Sequence, residues 1–123
     1  PRHLRRDRGL SALLHQIAIE GRAIFTSDLK CYVVSYDIMD QKRLHQVHRT
    51  MKAFGEPIHY SVFRCNLTAR GRMELIAALD GIIKHDQDRI MIVDLGPLEG
   101  RVDDRIEFLG VHPLEAESRA VVV

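Results

Sequence analysis

Three short runs rich in β-branched, aromatic and aliphatic residues, at 31–38, 58–67 and 89–95, alternate with two stretches whose apolar residues recur every three or four positions. A strand-like period near two and a helix-like period near 3.6 are not interchangeable, so this alternation fixes most of what the chain can become. In the first run, Tyr32, Val33, Val34, Ser35, Tyr36, Asp37 and Ile38 read as a buried strand ending at the acidic pair Asp37 and Asp40. From Asp40, placed as an N-cap, Leu44, Val47, Met51 and Phe54 mark an amphipathic helix that stops at Gly55 and Pro57. In 58–67, Ile58, Tyr60 and Val62 alternate before Phe63, and no Gly or Asn turn says whether this is one bent strand or a hairpin. Thr68 then caps a second helix with the apolar stripe Leu75, Ile76, Leu79, Ile82 and Ile83, ended by 85–88. Ile90, Met91, Ile92 and Val93 form the third run, Gly96, Pro97 and Gly100 a loop, and 105–109 is expected to add a last strand.

The order β-α-β(β)-α-β predicts an α+β, ferredoxin-like βαββαβ sandwich, in which two helices cover one face of an antiparallel sheet. A chain of 123 residues suits one domain, placed at 31–110 with an N-terminal extension at 1–30 and a tail at 111–123. In the extension, Leu10, Leu13, Leu14 and Ile17 follow an Arg-rich start at helical spacing. His15, Gln16 and Glu20 break the apolar stretch and no small-residue cleavage site follows, so it reads as a short amphipathic helix rather than a leader. Helices on one side leave the other sheet face open, and a homodimer is the simplest cover for it. No apolar run approaches the roughly 20 residues of a membrane span. Cys31 and Cys65, far apart and without a CxxC pair, read as buried small side chains without redox function, which fits a cytoplasmic protein.

The formal net charge of +1 conceals a polarity. Residues 41–73 carry seven Lys or Arg against Glu56 alone, whereas 86–117 carry nine acidic residues against three Arg. On the first helix Lys42, Arg43, Arg49 and Lys52 form a basic stripe, helped by Arg64, Arg70 and Arg72. Such a stripe neutralises phosphates whatever the base sequence, so DNA or RNA is the expected ligand; the plainer reading is a solvated helix face. His45 and His48 stand three residues apart, but one lies on the stripe and the other beside the apolar face, which argues against a transition-metal site.

Tyr32-Val33-Val34-Ser35-Tyr36-Asp37-Ile38 with Asp40 soon after, Arg43-Leu44, Phe54-Gly55, Tyr60-Ser61-Val62-Phe63 with Arg64-Cys65-Asn66-Leu67, and Asp88-Arg89-Ile90 together resemble the small CRISPR-associated Cas2 family, over about 31–110. The resemblance implies a ferredoxin-like homodimer whose extra C-terminal strand is exchanged onto the partner's sheet. It also implies work beside the CRISPR integrase in spacer acquisition and, as in several relatives, a magnesium-dependent endonuclease acting on RNA or DNA. The chain departs from the family pattern in its first 29 residues and at Pro57, where some relatives carry a basic residue.

On that resemblance Asp37 is the candidate catalytic and metal-binding carboxylate, with Ser61 beside it as a hydroxyl for phosphate or water. Magnesium wants near-octahedral oxygen ligands, so one carboxylate is a poor site alone, but two copies of Asp37 across a dimer axis make a cation site. The plainer roles are a loop hydrogen bond for Asp37, a helix cap for Asp40 and core packing for Phe63. Two function classes follow: a magnesium-dependent nuclease, or a non-catalytic DNA-binding scaffold bridging integrase subunits. A toxin-type nuclease and a small-molecule regulatory domain of the same fold are weaker alternatives, the latter lacking a Gly-rich binding loop.

Overall fold

The computed structural model describes residues 28–100 and 102–113. The expected helix around Leu10 to Ile17 and the tail from 114 onward lie outside the described residues. Six main elements follow in order: β1 (Lys30–Asp37), α1 (Gln41–Phe54), β2 (Glu56–His59), β3 (Val62–Leu67), α2 (Ala69–Asp80) and β4 (Arg89–Pro97). The strands form one antiparallel sheet in the order β2-β3-β1-β4, the ferredoxin-like arrangement read from the sequence.

Alternation along the strands decides which side chains meet the helices. Tyr32, Val34 and Tyr36 of β1 join Phe63, Cys65 and Leu67 of β3 in the core, with Tyr32 opposite Cys65 and Val34 opposite Phe63. The helices add Val47, Met51 and Phe54 from α1 and Leu75 and Leu79 from α2. Phe63 is fully buried, so truncating it to Ala costs about 3–5 kcal/mol by the usual cavity penalty.

The helix ends are set by local chemistry. Asp40 Oδ2 accepts from the Arg43 backbone N–H at 3.0 Å, which opens α1. Gly55 closes it with its N–H on the Met51 carbonyl and lies so close to β3 that a Cβ would collide with the Arg64 carbonyl oxygen and Cys65 Sγ. Thr68 Oγ1 accepts from Gly71 N–H at 3.0 Å and opens α2. That helix stops at Asp80, earlier than its apolar stripe suggested. Ile82 and Ile83 pack against the core from a turn beyond it, their N–H groups both directed to the Leu79 carbonyl.

The segment 58–67 is a hairpin. β2 starts at Glu56, two residues before the expected run, and β3 follows Tyr60 and Ser61. No glycine announced this turn because Ser61 itself takes the left-handed conformation, at φ 54°, which costs an L-residue about 1–2 kcal/mol.

The strand expected at 105–109 is not formed. Asp103–Arg105 is instead a turn of 3-10 helix, and 106–109 is irregular. Within one chain this segment is pinned over the sheet face rather than laid along an edge strand. Arg64 Nη1 meets Asp103 Oδ1 at 2.8 Å, Arg105 Nη1 donates to the Leu95 carbonyl, and Val102 is buried. The segment thus covers the β2–β3 half of the face opposite the helices, leaving a groove lined by Ile58, Ile106 and Phe108 among others. Toward β4 the same face exposes Met91 and Val93.

Candidate metal and nucleic-acid site

Asp37 is the last residue of β1, exposed, and opposite Arg89 of β4 in the ladder. By alternation it shares the face of Cys31, Val33 and Ser35, away from the helices. It makes no hydrogen bond or ion pair among the described residues, which leaves its carboxylate free for a ligand. The loop that follows is held in place from the other side by Asp88, whose side chain is wholly buried. Its carboxylate accepts from Met39 N–H at 3.0 Å, Lys84 N–H at 2.8 Å and Arg43 Nε at 2.7 Å. Arg43 Nη2 reaches Asp88 Oδ1 at 3.2 Å and Gln87 Oε1 at 3.0 Å. The Arg43 guanidinium, with the two backbone N–H groups, holds the Asp88 carboxyl well below the usual carboxylate range against its desolvation. Sequence reasoning took Asp88 only as a helix stop and strand opener, since a buried acid has no periodicity to betray it. The available signal was an acid directly before an apolar strand in a motif that also contained a paired Arg.

The five basic residues expected to bind nucleic acid divide into three groups. Lys42, Arg49 and Lys52 lie on α1 without an ion pair among the described residues, and His45 continues their stripe. Arg43, on the same helix, is committed to Asp88. Arg64 stands on the opposite side of the molecule, on the sheet face, against Asp103. On α2, Arg70 and Arg72 are exposed, and the Arg72 guanidinium lies 5.9 Å from the centroid of the Tyr32 ring.

Ser61 is brought to the end of β1 but turned toward the helix side. Its carbonyl accepts from Tyr36 N–H at 3.0 Å, and its side chain lies near the Tyr36 phenol, whose pKa burial pushes up. The structure therefore does not bring the Ser61 hydroxyl and the Asp37 carboxylate together on one face. Tyr36 OH also meets His48 Nδ1 at 2.7 Å, and His48 packs edge-on against Phe63, so His48 is turned inward and away from the exposed His45. Cys31 and Cys65 are both free and buried. They point to opposite faces of the sheet, and burial pushes the Cys65 thiol up to about 12 and the Cys31 thiol upward against Arg64, so neither is a thiolate at neutral pH.

Residues 30–98 match the family model described as CRISPR associated protein Cas2. The chain belongs to the Cas2 family. It is 39% identical over 92 residues to the CRISPR-associated endoribonuclease Cas2 1 of Rhodospirillum rubrum, covering 75% of this chain and 89% of that relative. Its identity to the CRISPR-associated endoribonuclease Cas2 of Geobacter sulfurreducens is 38% over 79 residues, covering 64% of this chain and 82% of that one. Among solved structures it resembles Streptococcus pyogenes Cas2 at pH 6.5, with a TM-score of 0.56, 28% identity and coverage of 65% of this chain and 99% of that chain.

Within one chain of this Cas2 geometry the described residues form no complete metal site. Among the described residues no three His, Cys, Asp or Glu side chains converge on one point. Asp37 has the right chemistry for magnesium, a hard, exposed, uncommitted oxygen donor, but one carboxylate leaves most of an octahedral shell to water and substrate. Met91 and Val93, which share the Asp37 face, are 55% and 37% exposed in the single chain, an apolar surface of the kind that partners cover.

Proposed function

We propose that this Cas2-family chain works as a homodimer in CRISPR spacer acquisition, alongside the integrase, and cuts phosphodiesters of RNA or DNA in a magnesium-dependent reaction centred on two copies of Asp37. The observation that carries this reading is the free, exposed Asp37 carboxylate at the end of β1, on the one sheet face without helices. Bound between two such carboxylates, magnesium would acidify a water and offset the charge that develops on the phosphate. The chain's own residues do the rest. Asp88 and Arg43 fix the loop after Asp37, so the carboxylate keeps its direction when substrate arrives. Lys42, Arg49 and Lys52 draw the sugar–phosphate backbone to α1 without reading bases. Arg89, opposite Asp37 in the ladder, adds a cation at the strand end. Cytoplasmic work fits the buried free thiols, and no helix among the described residues is long and apolar enough to cross a membrane.

A second reading, a non-catalytic scaffold that holds DNA and bridges integrase subunits, is favoured by the absence, among the described residues, of three His, Cys, Asp or Glu side chains gathered at one point. One assay separates the two. Purified protein is incubated with single-stranded RNA and with duplex DNA, with magnesium and with chelator, beside Asp37→Asn. The nuclease reading expects cleavage only by the parent with magnesium. Cleavage by neither protein, with nucleic-acid binding retained by both, replaces it with the scaffold.

A further inference from the structure

The β2–β3 turn holds a feature that neither the proposed metal site nor the basic helix uses. Tyr60 is 93% exposed, and its ring meets the His59 ring at 6.4 Å and 75°, an edge contact that leaves a π-face open. A single exposed aromatic is ordinary, but the backbone beneath this one is not. Ser61 adopts φ 54° where Gly or Asn would be relaxed, so the turn keeps a strained shape that fixes where Tyr60 sits. The Ser61 carbonyl takes the Tyr36 N–H, which ties the turn to β1 one residue before Asp37. A solvent-facing ring is thereby stationed at the same end of the sheet as the free carboxylate.

We propose that Tyr60, flanked by His59, is a stacking platform for an unpaired nucleobase of the strand whose phosphate approaches Asp37. The inference rests on the nucleic-acid role proposed above and adds a residue that holds a base. Every base has a π-face, so the platform tolerates any sequence, and a base inside a duplex cannot reach it without leaving its stack. Stacking neutralises no phosphate, so its loss leaves counterion release, and hence the salt dependence of binding, unchanged.

The test measures fluorescence anisotropy of the full chain, in chelator so that nothing is cut, with a labelled single-stranded RNA, the single-stranded DNA of the same sequence and its duplex, over a salt series. Tyr60→Ala is expected to weaken binding of one or both single strands roughly five- to 150-fold, the range measured for one stacked base, with the salt slope and duplex affinity unchanged. Tyr60→Phe keeps the ring and is expected to bind like the parent. The RNA and DNA arms show which strand is preferred. Lys42→Ala with Arg49→Ala and Lys52→Ala serves as the contrast, weakening all three ligands and flattening the slope. Equal affinity of Tyr60→Ala and parent for both single strands overturns the platform, as does an equal loss on duplex or a Tyr60→Phe as weak as the alanine variant. A change of molar mass in Tyr60→Ala by light scattering also overturns it, because the ring then belongs to a protein interface. If the parent cuts nothing in the magnesium assay above while Tyr60→Ala loses single-strand binding here, only the nuclease reading fails, and a parent that binds no nucleic acid sinks both.

Discussion

Replacing the Asp88 carboxylate by an amide removes the charge that meets Arg43 and one acceptor for the backbone of the β1–α1 loop. Because its folded pKa lies below the unfolded value of about 3.9, the stabilisation is fully present above that value and is lost as pH falls through it toward the folded pKa. Asp88→Asn should therefore lower the melting temperature most at neutral pH, with the gap to the parent narrowing below about pH 4. A gap that stays constant from pH 7 to pH 3 in thermal scans contradicts the assignment. Asp37 should behave in the opposite way: exposed and uncommitted, it is dispensable for folding, so Asp37→Asn should melt within a degree or two of the parent while losing any magnesium-dependent cutting. At this scale the sequence was informative where a side chain does one job. Asp40 and Thr68 were legible as caps because capping depends on local position. Arg43 and Arg64 carried the same charge as Lys42 and Arg49, but their partners, Asp88 and Asp103, lie 45 and 39 residues away, and only the folded chain brings them together.

The elements were legible to the extent that their periodicity was uninterrupted. β1, α1 and β4 fell where alternation and helical spacing put them, and the core of Val34, Val47, Met51 and Phe63 was readable from that spacing. α2 was overrun because Ile82 and Ile83 continue its apolar stripe although the chain has turned at Gly81. The hairpin stayed undecided because a strained serine sits where the usual turn residues would stand. Gly55 packs directly against β3, and Gly55→Ala should cost about 1–3 kcal/mol or more, since the obstructing Arg64 oxygen is backbone and cannot swing aside. Urea unfolding reads this directly, and an unchanged midpoint contradicts the packing described. On α1, replacing Lys42, Arg49 and Lys52 by Ala should reduce the slope of log affinity against log salt by about two to three for duplex DNA or single strands, because every phosphate left without its cationic side chain keeps its counterion. An unchanged slope means that nucleic acid lies on another face.

For the whole molecule, the exposed sheet face points to a second chain. The C-terminal segment, read as an exchanged strand, lies over its own sheet in the single chain, where 106–109 pairs with no strand. The dimer proposed here offers it an edge of the partner's sheet, while Met91 and Val93 find cover at the same time. Light scattering at micromolar concentration should give a dimer mass, and deleting everything from Val102 onward should shift it to the monomer. A truncated chain that stays dimeric leaves the exchange without a role. Sequence pattern alone could reach the open sheet face but not its occupant, because apolar alternation reports that a face must be covered and not by what. The paired-carboxylate site is the claim on which the functional account depends, and subunit mixing tests it most directly. Parent and Asp37→Asn chains are unfolded together in equal amounts, refolded, and assayed for magnesium-dependent cleavage of single-stranded RNA. If both copies of Asp37 are required, activity per parent chain falls to about half, because only about one quarter of the dimers keep two carboxylates. Activity per parent chain that stays at the unmixed value would show that each Asp37 works alone, and the two-chain site would be wrong.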